Sequence, residues 1–99
     1  MEKQSTKLRK LLKDNAYLVA PCAYDALSAK AIEKSGFLVA GTTGYGMHGV
    51  VLGQPDTGLL ALNETVSILS KMAEAVDIPL LADAEGGYGS AMNVIRTVK

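Results

Sequence analysis

The chain has 99 residues, 48% of them apolar and 20% charged, a composition that suits a folded core and excludes disordered and collagen-like classes. Ten basic and ten acidic side chains cancel to a formal net charge of zero, so no overall field argues for nucleic acid or an acidic membrane as a partner. The length fits one small domain or a piece of a larger one, whereas a complete eight-stranded barrel needs about 250 residues.

Lys3, Lys7, Arg9, Lys10 and Lys13 crowd the beginning of the chain. Residues 6–14 there predict a short helix with Leu8, Leu11 and Leu12 on one face, a stripe narrow enough to favour a solvated helix over one lying on a membrane. No apolar run approaches the roughly 18 residues of a bilayer span, and the start lacks the apolar stretch of a secretory leader. The cytoplasm is the expected compartment. The single cysteine, Cys22, cannot form an internal disulfide and is expected to be a small buried residue beside a strand end.

Residues 17–20 form a brief apolar run closed by Pro21, which predicts a first buried strand. A helix follows, capped by Asp25, with Leu27, Ala31 and Ile32 sharing a face and Ser35-Gly36 as its left-handed stop. Residues 37–41 predict a second strand. The glycine-rich stretch 41–58 reads as a loop, with Gly53 and Pro55 arguing against any long helix inside it. Asn63 is placed as the cap of the next helix, in which Val66, Leu69, Met72, Ala73 and Val76 repeat at helical spacing. Residues 78–83 predict a third strand, with Pro79 near its beginning where a missing donor does least harm. A second glycine loop, 85–89, leads into a helix over 91–99.

Unalternating apolar strands separated by helices predict an α/β fold with a parallel sheet. Both closed barrels and open doubly wound sheets place their chemistry at the carboxyl ends of the strands, which directs attention to the two glycine loops. Asp83 closes the third strand, Glu85 follows two positions later, and Asp56 lies in the preceding loop. Three carboxylates at one mouth make a hard-oxygen site for which Mg²⁺ is the natural occupant. The alternative is that Asp56 caps a turn and Glu85 is simply solvated.

Gly44, Gly46 and Gly49 spell G-x-G-x-x-G, a nucleotide signature, but Gly53 and Pro55 leave room for barely a turn of the helix it requires. The same glycines, with Thr42, Thr43 and Tyr45, can instead offer N–H groups and hydroxyls to a carboxylate. His48 has no second His or Cys at ligand spacing and reads as a local hydrogen-bonder. Tyr45 and Tyr88 either line a pocket or pack over the rim.

Residues 21–29 (PCAYDALSA), 52–58 (LGQPDTG), 82–89 (ADAEGGYG) and 93–98 (NVIRTV) together resemble the isocitrate lyase / phosphoenolpyruvate mutase superfamily. The resemblance implies the amino-terminal portion, about three strand-helix units, of a (β/α)8 TIM-type barrel. Residues 1–99 would then be one part of a single barrel domain, incomplete at its carboxyl end. It further implies a Mg²⁺-dependent lyase of small 2-hydroxy or 2-oxo carboxylates, similar to methylisocitrate lyase; phosphorylmutase and oxaloacetate decarboxylase activities occur in the same superfamily. By position in the motifs, Asp83 resembles the direct metal ligand, and Asp56 and Glu85 its water-mediated partners. Thr43, Gly44 and Tyr45 resemble the substrate-carboxylate loop, with Asp83 also reached by substrate.

Two departures stand out: Glu85 where the family usually has Asp, and Cys22 where it often has Gly. The family's catalytic loop, Lys-Lys/Arg-Cys-Gly-His, does not occur in these 99 residues, which are therefore expected to be inactive alone. A homo-oligomer is the expected assembly. From a different class, a non-catalytic anion-binding or self-assembling module remains the competing expectation.

Overall fold

A computed structural model describes residues 1–99. The elements run α1 (Gln4–Asp14), β1 (Cys22–Ala23), α2 (Ala26–Lys34), β2 (Ala40–Thr42), α3 (Gly44–Met47), a π turn (His48–Leu52), α4 (Leu62–Ala75), β3 (Leu80–Leu81) and α5 (Ala91–Val98). The three strands form one parallel sheet in the order β1-β2-β3, the α/β architecture expected.

Strand placement departs from the apolar runs. Residues 17–20 are not a strand: β1 begins after Pro21, whose carbonyl accepts from Gly41 N–H at 2.9 Å. Proline lacks a donor but keeps its acceptor, so it starts this ladder instead of ending it. Pro79 does the same for β3, accepting from Ala40 N–H at 3.1 Å. The second strand likewise lies later than predicted, at Ala40–Thr42, and β3 occupies only Leu80–Leu81 of the predicted 78–83.

Register sorts the sheet into two faces. Ala23 pairs with Thr42 and Ala40 with Leu80, while Cys22, Gly41 and Leu81 lie side by side on the opposite face. Ala23 belongs to the core, packed with Ala29, Met72 and Val76 and bordered by Ile32, Ile68, Leu69 and Leu80. Helices α2 and α4 therefore cover one face. The other is open, and Cys22 is exposed there, contrary to its predicted burial. Only 14 of 99 residues are buried, so much apolar surface stays in water, Leu27, Val50, Val51 and Leu81 included.

Helix ends follow local chemistry. Asp25 caps α2 as predicted, its Oδ1 accepting from Ser28 N–H at 2.7 Å while Ser28 Oγ accepts from Asp25 N–H at 3.1 Å. The helix stops at Ser35, and Gly36 takes the left-handed φ of +93°. The buried stripe of α2 runs through Ala29 and Ile32, with Leu27 turned to solvent. Asn63 is not the cap of α4: that position is Ala61, whose N–H is taken by Glu64 Oε1 at 3.1 Å. The inward stripe of α4 is Thr65, Ile68, Leu69 and Met72, continued by Val76 just past its end, with Val66 exposed.

The amino ends of the elements are also tied together. Glu33 Oε2 accepts from Asp77 N–H at 2.6 Å and Ile78 N–H at 3.3 Å. Gln4 Nε2 and Lys7 Nζ donate to Asp77 O at 3.1 and 2.9 Å, and these bonds hold α1, which buries none of its residues. No helix is long and apolar enough to cross a membrane.

Candidate metal and carboxylate site

The carboxyl ends of β2 and β3 are locked together by Thr42, which is 7% exposed. Its Oγ1 accepts from Asp83 N–H at 2.8 Å, fixing where the chain leaves β3. Asp83 Oδ1 then accepts from Glu85 N–H at 2.8 Å, a tight Asx-type turn. That turn carries Glu85 into a left-handed φ of +51°, a conformation that costs a non-glycine residue on the order of 1 kcal/mol. The strain is spent on aiming the Glu85 side chain back over β2.

Glu85 arrives at Gly44. A methyl group at Gly44 would collide with Glu85 Oε1 and lie 3.7 Å from Asp83 Oδ2, so the absent side chain is what lets both carboxylates approach the start of α3. From the other side comes Asp56. A carboxylate oxygen of Asp56, one of Glu85 and a ring nitrogen of His48 all lie within 4.8 Å of one another. Of the sequence-derived trio, Asp56 and Glu85 come together beside His48, while Asp83 stands outside that group and shares with Glu85 the approach to Gly44.

His48 completes that geometric group but not its donor set. The ring is 1% exposed; Nδ1 sits 2.6 Å from Gly44 O, and Nε2 is 3.1 and 3.2 Å from the N–H groups of Leu59 and Leu60. A carbonyl only accepts, so Nδ1 carries the proton; an amide N–H only donates, so Nε2 is bare and occupied. With both nitrogens committed, the candidate ligands reduce to oxygens. An all-carboxylate set of three suits a hard divalent cation of the Mg²⁺ type, and the Gly44 cradle gives those oxygens room to gather.

Stretch 41–58 is more helical than predicted. Gly44–Met47 and the π turn to Leu52 run without a break, because Thr43 caps the segment, its Oγ1 accepting from Gly46 N–H at 3.1 Å. The N–H groups of Gly44 and Tyr45, first in the helix, are of the kind that lacks an intrahelical acceptor, whereas the Thr43 N–H donates to Ala23 O at 3.1 Å. Tyr45 is 75% exposed. A bare phosphate fits poorly here: the helix opens at the first glycine of the signature, not the third, and the acidic trio would repel the anion.

Two residues of the sequence reading take roles with more detail than the sequence carries. Thr42 was grouped with the anion-binding hydroxyls, yet its oxygen serves the Asp83 backbone. Tyr88 takes φ +63° and buries its hydroxyl without a partner. It borders the largest groove, which opens beside the acidic mouth between α4 and α5, lined by Leu60, Ala61, Asn63, Asn93 and Arg96.

Comparison with known proteins gives this geometry a family. Residues 8–99 match the model of phosphoenolpyruvate phosphomutase. The 2,3-dimethylmalate lyase of Eubacterium barkeri is 45% identical over 95 residues, covering 96% of this chain and 33% of that protein. Among solved structures, a 2,3-dimethylmalate lyase described as a member of the PEP mutase/isocitrate lyase superfamily superposes with a TM-score of 0.86 at 35% identity, over 97% of this chain and 35% of the other. A phosphonopyruvate hydrolase in complex with oxalate and Mg²⁺ gives 0.88 at 29%, over 98% and 34%. The chain spans about a third of the length of these relatives, as the first strand-helix units of a TIM-type barrel. It belongs to the phosphoenolpyruvate phosphomutase family of the PEP mutase/isocitrate lyase superfamily.

Proposed function

We propose that these residues form the metal- and carboxylate-binding portion of a Mg²⁺-dependent lyase that cleaves a carbon–carbon bond in small 2-hydroxy or 2-oxo carboxylates, similar to methylisocitrate or dimethylmalate lyase. The observation that carries this reading is that Glu85 meets Asp56 beside His48 and, with Asp83, closes on Gly44.

Asp83 Oδ2 is the oxygen left over once Oδ1 has taken Glu85 N–H, which makes Asp83 the direct ligand. Asp56 and Glu85 would hold the cation through water. When bound, Mg²⁺ polarises the oxo and carboxylate oxygens of the substrate, where negative charge gathers as the bond breaks. Gly44 and Tyr45 N–H groups and the Thr43 hydroxyl proton bind and orient the substrate carboxylate. His48, with both ring nitrogens occupied, is no proton donor to a leaving carbanion. These 99 residues bind without turning over.

The open sheet face along Cys22, Gly41 and Leu81 is the one a barrel turns inward, which supports one barrel domain as its setting. The exposed apolar residues of α2 and the π turn, Leu27, Val50 and Val51, support self-association into a homo-oligomer.

Titration calorimetry with oxalate, a planar dicarboxylate, tests the reading. Oxalate binding that requires Mg²⁺ and disappears in Asp83→Ala is expected; binding indifferent to Mg²⁺ would favour a simple anion-binding module and refute the assignment.

A further inference from the structure

We propose that His48 is a positioning residue for the acidic mouth, clamping both ends of segment 53–60 so that Asp56 faces Glu85. The inference rests on the metal reading above and adds to it the group that keeps one of its carboxylates in place.

Segment 53–60 carries Asp56 yet has little of its own to order it. Apart from contacts with His48, its hydrogen bonds are Gly53 N–H to Gly49 O at 3.0 Å and a long one from Thr57 Oγ1 to Pro55 O at 3.5 Å. Fixing eight such residues costs backbone entropy that contacts must offset. Besides the burial of Leu60, the hydrogen bonds to His48 hold the segment. The carbonyl of His48 accepts from Gln54 N–H at 3.3 Å at one end. At the other end its Nε2 accepts from Leu59 and Leu60 N–H at 3.1 and 3.2 Å.

Between those anchors, Asp56 Oδ1 lies 3.4 Å from Nδ1, the nitrogen whose proton points at Gly44 O. The ring thus relates three parts of the mouth at once: the Gly44 cradle, the Asp56 carboxylate and the entry to α4. Buried at 1% exposure, it is held in one tautomer by partners that can each play only one role.

His48 is the only histidine in the chain, so a long-range ¹H–¹⁵N spectrum reports it without ambiguity. A protonated Nδ1 with bare Nε2 is expected, and the opposite tautomer overturns the clamp. Binding of Mn²⁺, followed by its electron paramagnetic resonance, then separates positioning from packing. His48→Phe fills the volume but accepts no hydrogen bond, and its Mn²⁺ affinity should fall about 10- to 100-fold. His48→Gln places an amide oxygen near Leu59 and Leu60 N–H and should recover part of that loss. Equal losses in Phe and Gln, or none in either, overturn the proposal. Should the Phe protein lack the wild-type circular dichroism, His48→Asn replaces it, because it can still donate to Gly44 O but does not reach the two N–H groups. Binding lost in Asp83→Ala and untouched at His48 overturns this inference alone, whereas no Mn²⁺ binding by the unsubstituted protein overturns the metal reading as well.

Discussion

The amide of Asp83 donates to the hydroxyl oxygen of Thr42 at 2.8 Å, so the acidic residue that ends the third strand is held by a side chain from the end of the second. Thr42→Val keeps the shape and removes the acceptor. The stranded N–H should cost about 1–3 kcal/mol, and Thr42→Ser should restore most of it. Urea unfolding of the three proteins, followed by circular dichroism, measures both differences.

Gly44→Ala probes the same mouth from below. The added methyl meets Glu85 Oε1, the far end of an exposed, flexible side chain that can swing aside. Alanine is favoured over glycine in a helix by up to about 1 kcal/mol, so thermal stability should hold or rise slightly. Mn²⁺ affinity should fall by about tenfold, the size expected when a partner next to a metal is displaced. A protein that is both stable and tight-binding would contradict the role given to Glu85.

Loss of the Asp25 cap should act on stability only. In Asp25→Ala the N–H of Ser28 loses its 2.7 Å partner, at a cost of about 0.5–2 kcal/mol. Asp25→Asn, which keeps a side-chain acceptor, should unfold at nearly the wild-type denaturant concentration.

Glu33→Ala makes the opposite pole the target. It strips two N–H groups, of Asp77 and Ile78, of a shared carboxylate, and hydrogen bonds to a charged group contribute about 1.5–3 kcal/mol when shielded from water. Because Glu33 is half-buried, a loss near the lower end is expected, with metal affinity unchanged. Calorimetry on the folded variant checks the second half of that statement.

Much of this arrangement was legible in the residues. Asp25 and Ser28 announce a cap through local hydrogen bonds that need no tertiary information, and the acidic trio was visible because carboxylates at strand ends are costly unless something uses them. Strand limits were not legible. Apolar runs at 17–20 and 37–41 mark where water is unwelcome, but the ladder is set by register between strands far apart in sequence, and it begins at the carbonyls of Pro21 and Pro79. Stretch 41–58 misled for a similar reason. Its glycines lower helix propensity, yet the Thr43 cap and the His48 contacts outweigh them. Asn63 had a capping side chain but lay two residues too late, because Ala61 is where the backbone turns extended and Glu64 reaches back.

The mooring of α1 has a practical side. Gln4 and Lys7 fasten it to the carbonyl of Asp77, just before β3, while the carboxylates gather past that strand's far end. A surface tether, fluorescent label or fusion partner joined at Met1 therefore emerges at the back of the molecule, leaving the acidic side chains at the front unobstructed.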